Sequence, residues 1–263
     1  MKKLFVSDVD GTLVTADKPH LSRELKSAIE LTVNNGDLFV LCSGRPTSNL
    51  IELSKELYED DIKVEYVAGF NGVEIFDLIK GEVIVDNSLS CSDIEQITSA
   101  CDSLNLDYLY FDTDCIRTNM PDNYWAIRES GFYGHPVSAD TTACKSPKVL
   151  LVVEEADNYQ IQSQLKELLP DFDIFESAPH FIEIVKKDIN KASVVKQIME
   201  LENINHNHTY GFGDSGNDVE LLEYANTAVV VANGNPKAKA SADIVIGDAS
   251  DNAIADYLFS VYE

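Results

Sequence analysis

The stretch Leu4-Phe5-Val6-Ser7-Asp8-Val9-Asp10-Gly11-Thr12 decides the fold. A short apolar run that stops at two carboxylates and a glycine reads as a buried strand ending in a turn. Two later runs end the same way. Leu38 to Cys42 runs into Ser43-Gly44-Arg45-Pro46, and His208 to Phe212 runs into Gly213-Asp214-Ser215-Gly216-Asn217-Asp218. Between the first two, Ser22 reads as the N-cap of a helix with Leu25, Ala28, Ile29 and Val33 on one face, closed by Gly36. Pro46 opens a second helix through about Leu57, and Val64 to Ala68 is a third strand. Strands that are apolar on both faces and alternate with helices predict an α/β fold with a parallel, Rossmann-like sheet covered on both sides.

Residues 73–76 and 82–85 read as a hairpin. The strand–helix rhythm returns late in the chain, with helices near 190–202 and 218–224, strands at 228–231 and 244–246, and a final helix. The middle has a different texture: helical patterns at 92–104 and 156–169, strand-like runs at 107–111, 148–153 and 180–185, and an aromatic stretch with Tyr124, Trp125, Phe132 and Tyr133. This predicts a core formed by 1–85 and 186–263, interrupted by an inserted α+β domain at 86–185.

The formal net charge of -25 makes nucleic acid and anionic lipid poor partners. It also repels a phosphorylated ligand, so a phosphate site here needs a local cation or backbone N–H groups. Cys42, Cys91, Cys101, Cys115 and Cys144 are odd in number and form no C-x-x-C pair, which fits a reducing compartment. No apolar window is long enough for a membrane span or a signal peptide, so a cytoplasmic protein is expected, as a monomer or small homo-oligomer. The five histidines suggest no metal site.

Ligand sites of open parallel sheets lie at the carboxyl ends of the strands. The three polar strand ends, with Lys191, offer the parts of a phosphoryl-transfer site. A carboxylate can attack phosphorus only if the repulsion between two anions is removed, which a hard divalent cation such as Mg2+ does. Asp8 and Asp214 can supply its carboxylates. Asp10 is placed to protonate the leaving oxygen and then to activate water. Ser43 and the Gly44 N–H can bind phosphoryl oxygens, and Lys191 can neutralise their charge.

These segments together resemble the four motifs of the haloacid dehalogenase superfamily: Asp8-Val9-Asp10-Gly11-Thr12, Leu41-Cys42-Ser43-Gly44-Arg45, Lys191 before a helix, and Gly213 to Asp218. The length and position of the insertion resemble the Cof-type, class IIB sugar-phosphate phosphatases. The resemblance implies a mobile cap, Mg2+, Asp8 as nucleophile and Asp10 as acid/base. It implies metal ligation by Asp8, the Asp10 carbonyl and Asp214, with Asn217 and Asp218 supporting metal and phosphate. Arg45 joins Ser43 and Gly44 on the substrate side, and Asn71-Gly72 resembles the Asn-Gly after the family's third strand. Cys42 stands where a small residue is usual, and Ala192 follows the lysine where glycine is usual. Lys187 is therefore an alternative to Lys191.

The expected activity is hydrolysis of a small phosphorylated metabolite, a sugar phosphate by resemblance, through an aspartyl-phosphate. A phosphosugar mutase would share the first step. Gly211-x-Gly213-x-x-Gly216 also fits a dinucleotide-binding loop. Against that reading, Asp214 would sit inside the loop, and Val229 to Asn235 contains no ribose-binding acid. In the insertion, Tyr124, Trp125, Arg128 and His135 are candidates either for substrate contact or for the insertion's own core.

Overall fold

The computed structural model describes residues 1–112, 114–142 and 144–263; the side chain of Phe132 lies outside the described residues. The chain forms two compact units, Met1–Asp86 with Asn190–Glu263, and Asn87–Ile189.

The first unit begins with β1 (Leu4–Ser7), α1 (Arg23–Asn34), β2 (Leu38–Cys42), α2 (Thr47–Tyr58) and β3 (Tyr66–Gly69), then β4 (Glu74–Asp77) and β5 (Glu82–Asp86). The second unit comes next, with α3 (Cys91–Ser103), β6 (Asp107–Phe111), β7 (Ile116–Thr118), α4 (Tyr124–Tyr133), β8 (Val137–Ser138), β9 (Val149–Val152), α5 (Asn158–Leu168), β10 (Phe172–Ala178) and β11 (Phe181–Lys186). The first unit resumes with α6 (Lys191–Glu202), β12 (Thr209–Gly213), α7 (Val219–Tyr224), β13 (Thr227–Val230), α8 (Pro236–Ala240), β14 (Ile244–Val245) and α9 (Ala253–Ser260).

Among the described residues the core sheet runs β14-β13-β12-β1-β2-β3-β4-β5. It is parallel from β14 to β3 and antiparallel through the β3–β4–β5 hairpin edge. The alternation within β1 shows why both faces must be covered. Phe5 points into a cluster with Ala28 and Ile29 of α1, whereas Leu4 and Val6 pack with Val194, Val195 and Ile198 of α6. Burying each such side chain contributes about 1.5–3 kcal/mol. Ser22 caps α1 as its sequence suggests, its hydroxyl accepting from the Leu25 N–H at 3.1 Å.

The second unit is built on a sheet of order β10-β11-β9-β6-β7-β8. Tyr108 and Tyr110 face α3 and α5, while Leu109 and Phe111 face the opposite way, toward α4. The described part of the aromatic stretch is divided between core and surface. Trp125 meets Phe181 edge-on at 5.0 Å, and Tyr133 lies 4.3 Å from Phe111, whereas Tyr124 is exposed. The short strands β7, β8 and β10, and the helical state of Tyr124–Tyr133, add to what the sequence suggests.

Lys148 and Glu183 form an ion pair in this unit at 2.7 Å, both nearly excluded from water. Removing one partner strands the other charge, so Glu183→Ala should cost about 3–5 kcal/mol in urea unfolding. Lys148→Met with Glu183→Leu should be neutral or stabilising in the same measurement.

Candidate active site

β12, β1 and β2 are adjacent and parallel, and Ser7 lies in register with both Phe212 and Leu41. The three loops after these strands therefore leave the sheet at one level, side by side. That register brings Asp8 and Asp10, Ser43 to Arg45, and Asp214 to Asp218 together from distant parts of the chain.

Lys191 is the first residue of α6, whose N-cap Asn190 accepts from the Ala192 N–H at 3.0 Å. Its side chain is fully buried, and Nζ donates to Oδ1 of Asp8 and to Oδ1 of Asp218, the latter at 2.6 Å. Oδ2 of Asp218 accepts from the N–H groups of Asp214 and Ser215 at 3.0 and 2.9 Å. One buried carboxylate thus anchors both the lysine and the Asp214 loop. Lys187, the alternative, donates to the Pro170 carbonyl at 2.8 Å instead.

Burial of Asp8, with the neighbouring carboxylates of Asp218 and Asp214, pushes its carboxyl above the usual range, against the downward pull of Lys191. Burial disfavours the Lys191 ammonium, but Asp8 and Asp218 outweigh it and hold the lysine pKa above normal. Asp214 is raised by burial and then by Asp218. Oxygens of Asp8, Asp214 and Asp218 lie within 4.8 Å of one another, so three carboxylates face one ammonium. A hard divalent cation fits that all-oxygen, electron-rich donor set. A second group, Asp112, Asp114 and Cys115, has Arg117 on Asp112 at 2.7 Å as its cation.

Asp10 is half exposed and is gripped by Arg45, whose Nε and Nη2 donate to its two oxygens at 2.7 and 2.5 Å. Ser43 is buried. Asn71, in the left-handed region with φ 57°, donates its N–H to the Ser43 carbonyl at 2.8 Å and accepts from Asn217 Nδ2 at 3.0 Å. A Cβ on Gly44 would lie 3.3 Å from the Asn71 amide, so the two loops meet there. Asp8, Asp10, Ser43, Gly44, Arg45, Asn71, Lys191, Asp214, Asn217 and Asp218 all lie in the first unit, whereas Tyr124, Trp125, Arg128 and His135 lie in the second.

Two residues escape the sequence reading. Thr12, although inside the first motif, gains its role from Oγ1 donating to Asp214 Oδ1 at 3.0 Å. Asn233 donates to the Gly11 carbonyl at 2.7 Å, a contact between residues 222 positions apart that no local pattern signals. Gly11 itself has φ +86°, and a Cβ there would meet Asp214 at 2.6 Å.

The glycines of the dinucleotide-like pattern serve packing. A Cβ on Gly213 would fall 2.4 Å from Asp218, and one on Gly211 would crowd Ala225 and Leu221 at 3.1 Å. The loop amides of Asp214 and Ser215, which a pyrophosphate would need, already donate to Asp218.

The open α/β sheet carries a lysine-bridged carboxylate cluster at its strand ends, and comparison with known proteins identifies the class. The model of the haloacid dehalogenase-like hydrolases matches residues 5–258. YxeH of Bacillus subtilis (strain 168) is 26% identical, the match covering 97% of this chain and 96% of that protein. A 5-amino-6-(5-phospho-D-ribitylamino)uracil phosphatase of the same organism, YitU, is 25% identical, with 97% and 96% covered. The solved structure of a subclass IIB sugar phosphatase superposes with TM-score 0.80 at 21% identity, covering 99% of each chain. The chain belongs to the haloacid dehalogenase-like hydrolase family, and its Rossmann-like core with an added α+β unit is that family's fold.

The charge arrangement makes two stability predictions. Lys191→Met leaves two buried carboxylates facing each other and should cost about 3–5 kcal/mol in denaturant unfolding. Asp8→Asn removes one of three crowded carboxylates while Lys191 keeps Asp218, so its unfolding midpoint should be unchanged or raised.

Proposed function

We propose that this chain is a Mg2+-dependent phosphatase that hydrolyses small phosphorylated metabolites, sugar phosphates foremost, through an aspartyl-phosphate on Asp8. The observation that carries this reading is the buried Asp8 carboxylate held by Lys191 beside Asp214 at the carboxyl edge of the sheet. Such a carboxylate is oriented, shielded from water and paired with a fixed positive charge, which is what an attacking oxygen needs beside an anionic phosphoryl group.

Asp8 and Asp214 would hold Mg2+, with the Asp10 carbonyl added by family resemblance; the ion would offset charge between the carboxylate and the phosphoryl group. Asp218 supports from behind, since its oxygens already serve Lys191 and the Asp214 loop. In the first half-reaction Asp8 bonds to phosphorus, the ester P–O bond breaks, and Asp10 gives a proton to the leaving alkoxide. In the second, water bonds to phosphorus while Asp10 takes its proton, and the Asp8 oxygen–phosphorus bond breaks. Ser43, Gly44, Asn71 and Asn217 surround the transferring group.

The choice of sugar phosphates is supported by two similar proteins, one named a sugar phosphatase and the other for a phosphorylated ribityl chain. A panel of phosphorylated metabolites assayed for phosphate release, with Mg2+ and with EDTA, tests the reading. Release should require Mg2+ and vanish in Asp8→Asn. Release that persists in EDTA or in Asp8→Asn would overturn it, and isomerised sugar phosphate without free phosphate would mark a mutase.

A further inference from the structure

A fourth loop leaves the core sheet at the edge that carries the site. β13 lies beside β12 with Val230 in register with Gly213, so the segment from Val231 to Asn235 departs next to the Asp214 loop. It holds no acid and no basic residue. Its backbone is nonetheless pressed against the site. The Asn235 N–H donates to the Asp214 carbonyl at 2.7 Å, and a Cβ on Gly234 would lie 3.2 Å from that same oxygen. Asn233 reaches further and divides its side chain between two other segments. Nδ2 donates to the Gly11 carbonyl at 2.7 Å, and Oδ1 accepts from the Ala249 N–H at 2.9 Å. With its oxygen held by an N–H, the amide turns its NH2 toward Gly11, and both ends are matched.

Gly11 sits at φ +86° in the turn that carries the first motif past the strand end. Glycine has wide backbone freedom there, and a hydrogen bond to its carbonyl restricts it. The next residue, Thr12, reaches Asp214 through its hydroxyl. The Gly11–Thr12 peptide is therefore fixed from two sides, by Asn233 directly and by Asp214 through Thr12. The peptide before it carries the Asp10 carbonyl, so a turn released at Gly11 moves that oxygen as well. We propose that Asn233 is a positioning residue that acts through the Gly11 carbonyl, holding the turn after β1 against Asp214 so that both loops meet one Mg2+. This inference rests on the Mg2+ site given above. Residues that orient ligands from outside the ligand set commonly change metal affinity about 10- to 100-fold when removed.

Two variants separate the ends of the amide. Asn233→Ala removes both contacts without changing charge. Asn233→Asp keeps an oxygen for the Ala249 N–H but sets an oxygen, not a donor, against the Gly11 carbonyl. Its added negative charge alone would strengthen Mg2+ binding, whereas loss of the donor weakens it, so the two effects have opposite signs. The melting temperature of substrate-free protein is followed from EDTA through rising Mg2+, and the concentration that produces a given rise is compared with wild type. That concentration should increase about 10- to 100-fold in both variants. Melting temperatures in EDTA report the cost to the fold separately. Phosphate release from the best sugar phosphate of the panel should shift to higher Mg2+ in the same way. At saturating Mg2+ the KM for the ester should stay within about twofold of wild type.

A Mg2+ dependence of melting in Asn233→Ala that matches wild type would make Asn233 a structural tether only and overturn the inference, whatever the melting temperature in EDTA. So would tighter Mg2+ binding in Asn233→Asp. Should Asn233→Ala fail to fold, Asn233→Asp, which retains the Ala249 contact, decides alone. Either contrary result beside a wild type that Mg2+ stabilises leaves the Mg2+ reading intact; a wild type that Mg2+ does not stabilise removes both.

Discussion

Lys191 Nζ has no access to water, and the carboxyl edge of the core sheet is arranged around that fact. An ammonium in such a place needs strong partners, and it has Asp8 on one side and Asp218 on the other. Because Asp218 also receives two N–H groups from the loop after β12, the one cation fixes the geometry of three separate segments. With Asp214 beside them, three carboxylates face this one ammonium, and negative charge is left in surplus. A divalent cation fits that surplus, and the site can remain ordered in a chain whose net charge would otherwise repel a phosphate ester.

Much of this was legible in the sequence, for physical reasons. Strands buried on both faces must be apolar throughout, so Leu4-Phe5-Val6 and Leu38 to Cys42 stand out, and the polar residues after each run must sit at a strand end. The family motifs lie at those ends. The features that stayed hidden depend on distance in three dimensions. Lys187 and Lys191 are four residues apart and chemically identical, yet one reaches a carbonyl of the second unit and the other the carboxylate cluster. Asn233 and Thr12 act through contacts more than 200 residues away. The second unit was harder to read because its elements are short and its aromatics occupy both core and surface. Trp125 and Tyr124 are neighbours in sequence with opposite fates.

The two acids of the first motif illustrate how environment divides labour between like groups. Asp8 is buried, bonded to a lysine and crowded by carboxylates; Asp10 is open to solvent and held by an arginine. In the proposed mechanism the first would attack phosphorus, and the second would exchange protons with alcohol and water. A single residue, Val9, separates them, and the turn at Gly11 that follows leaves no room for a side chain beside Asp214.

The most direct measurement is to quench the enzyme with acid during turnover of a sugar phosphate in Mg2+ and map the phosphoryl group by peptide mass spectrometry. Phosphate on Asp8, appearing with substrate and decaying when substrate is exhausted, is the predicted result. Turnover with no phosphorylated protein, or with phosphate on a residue other than Asp8, would contradict covalent catalysis by Asp8.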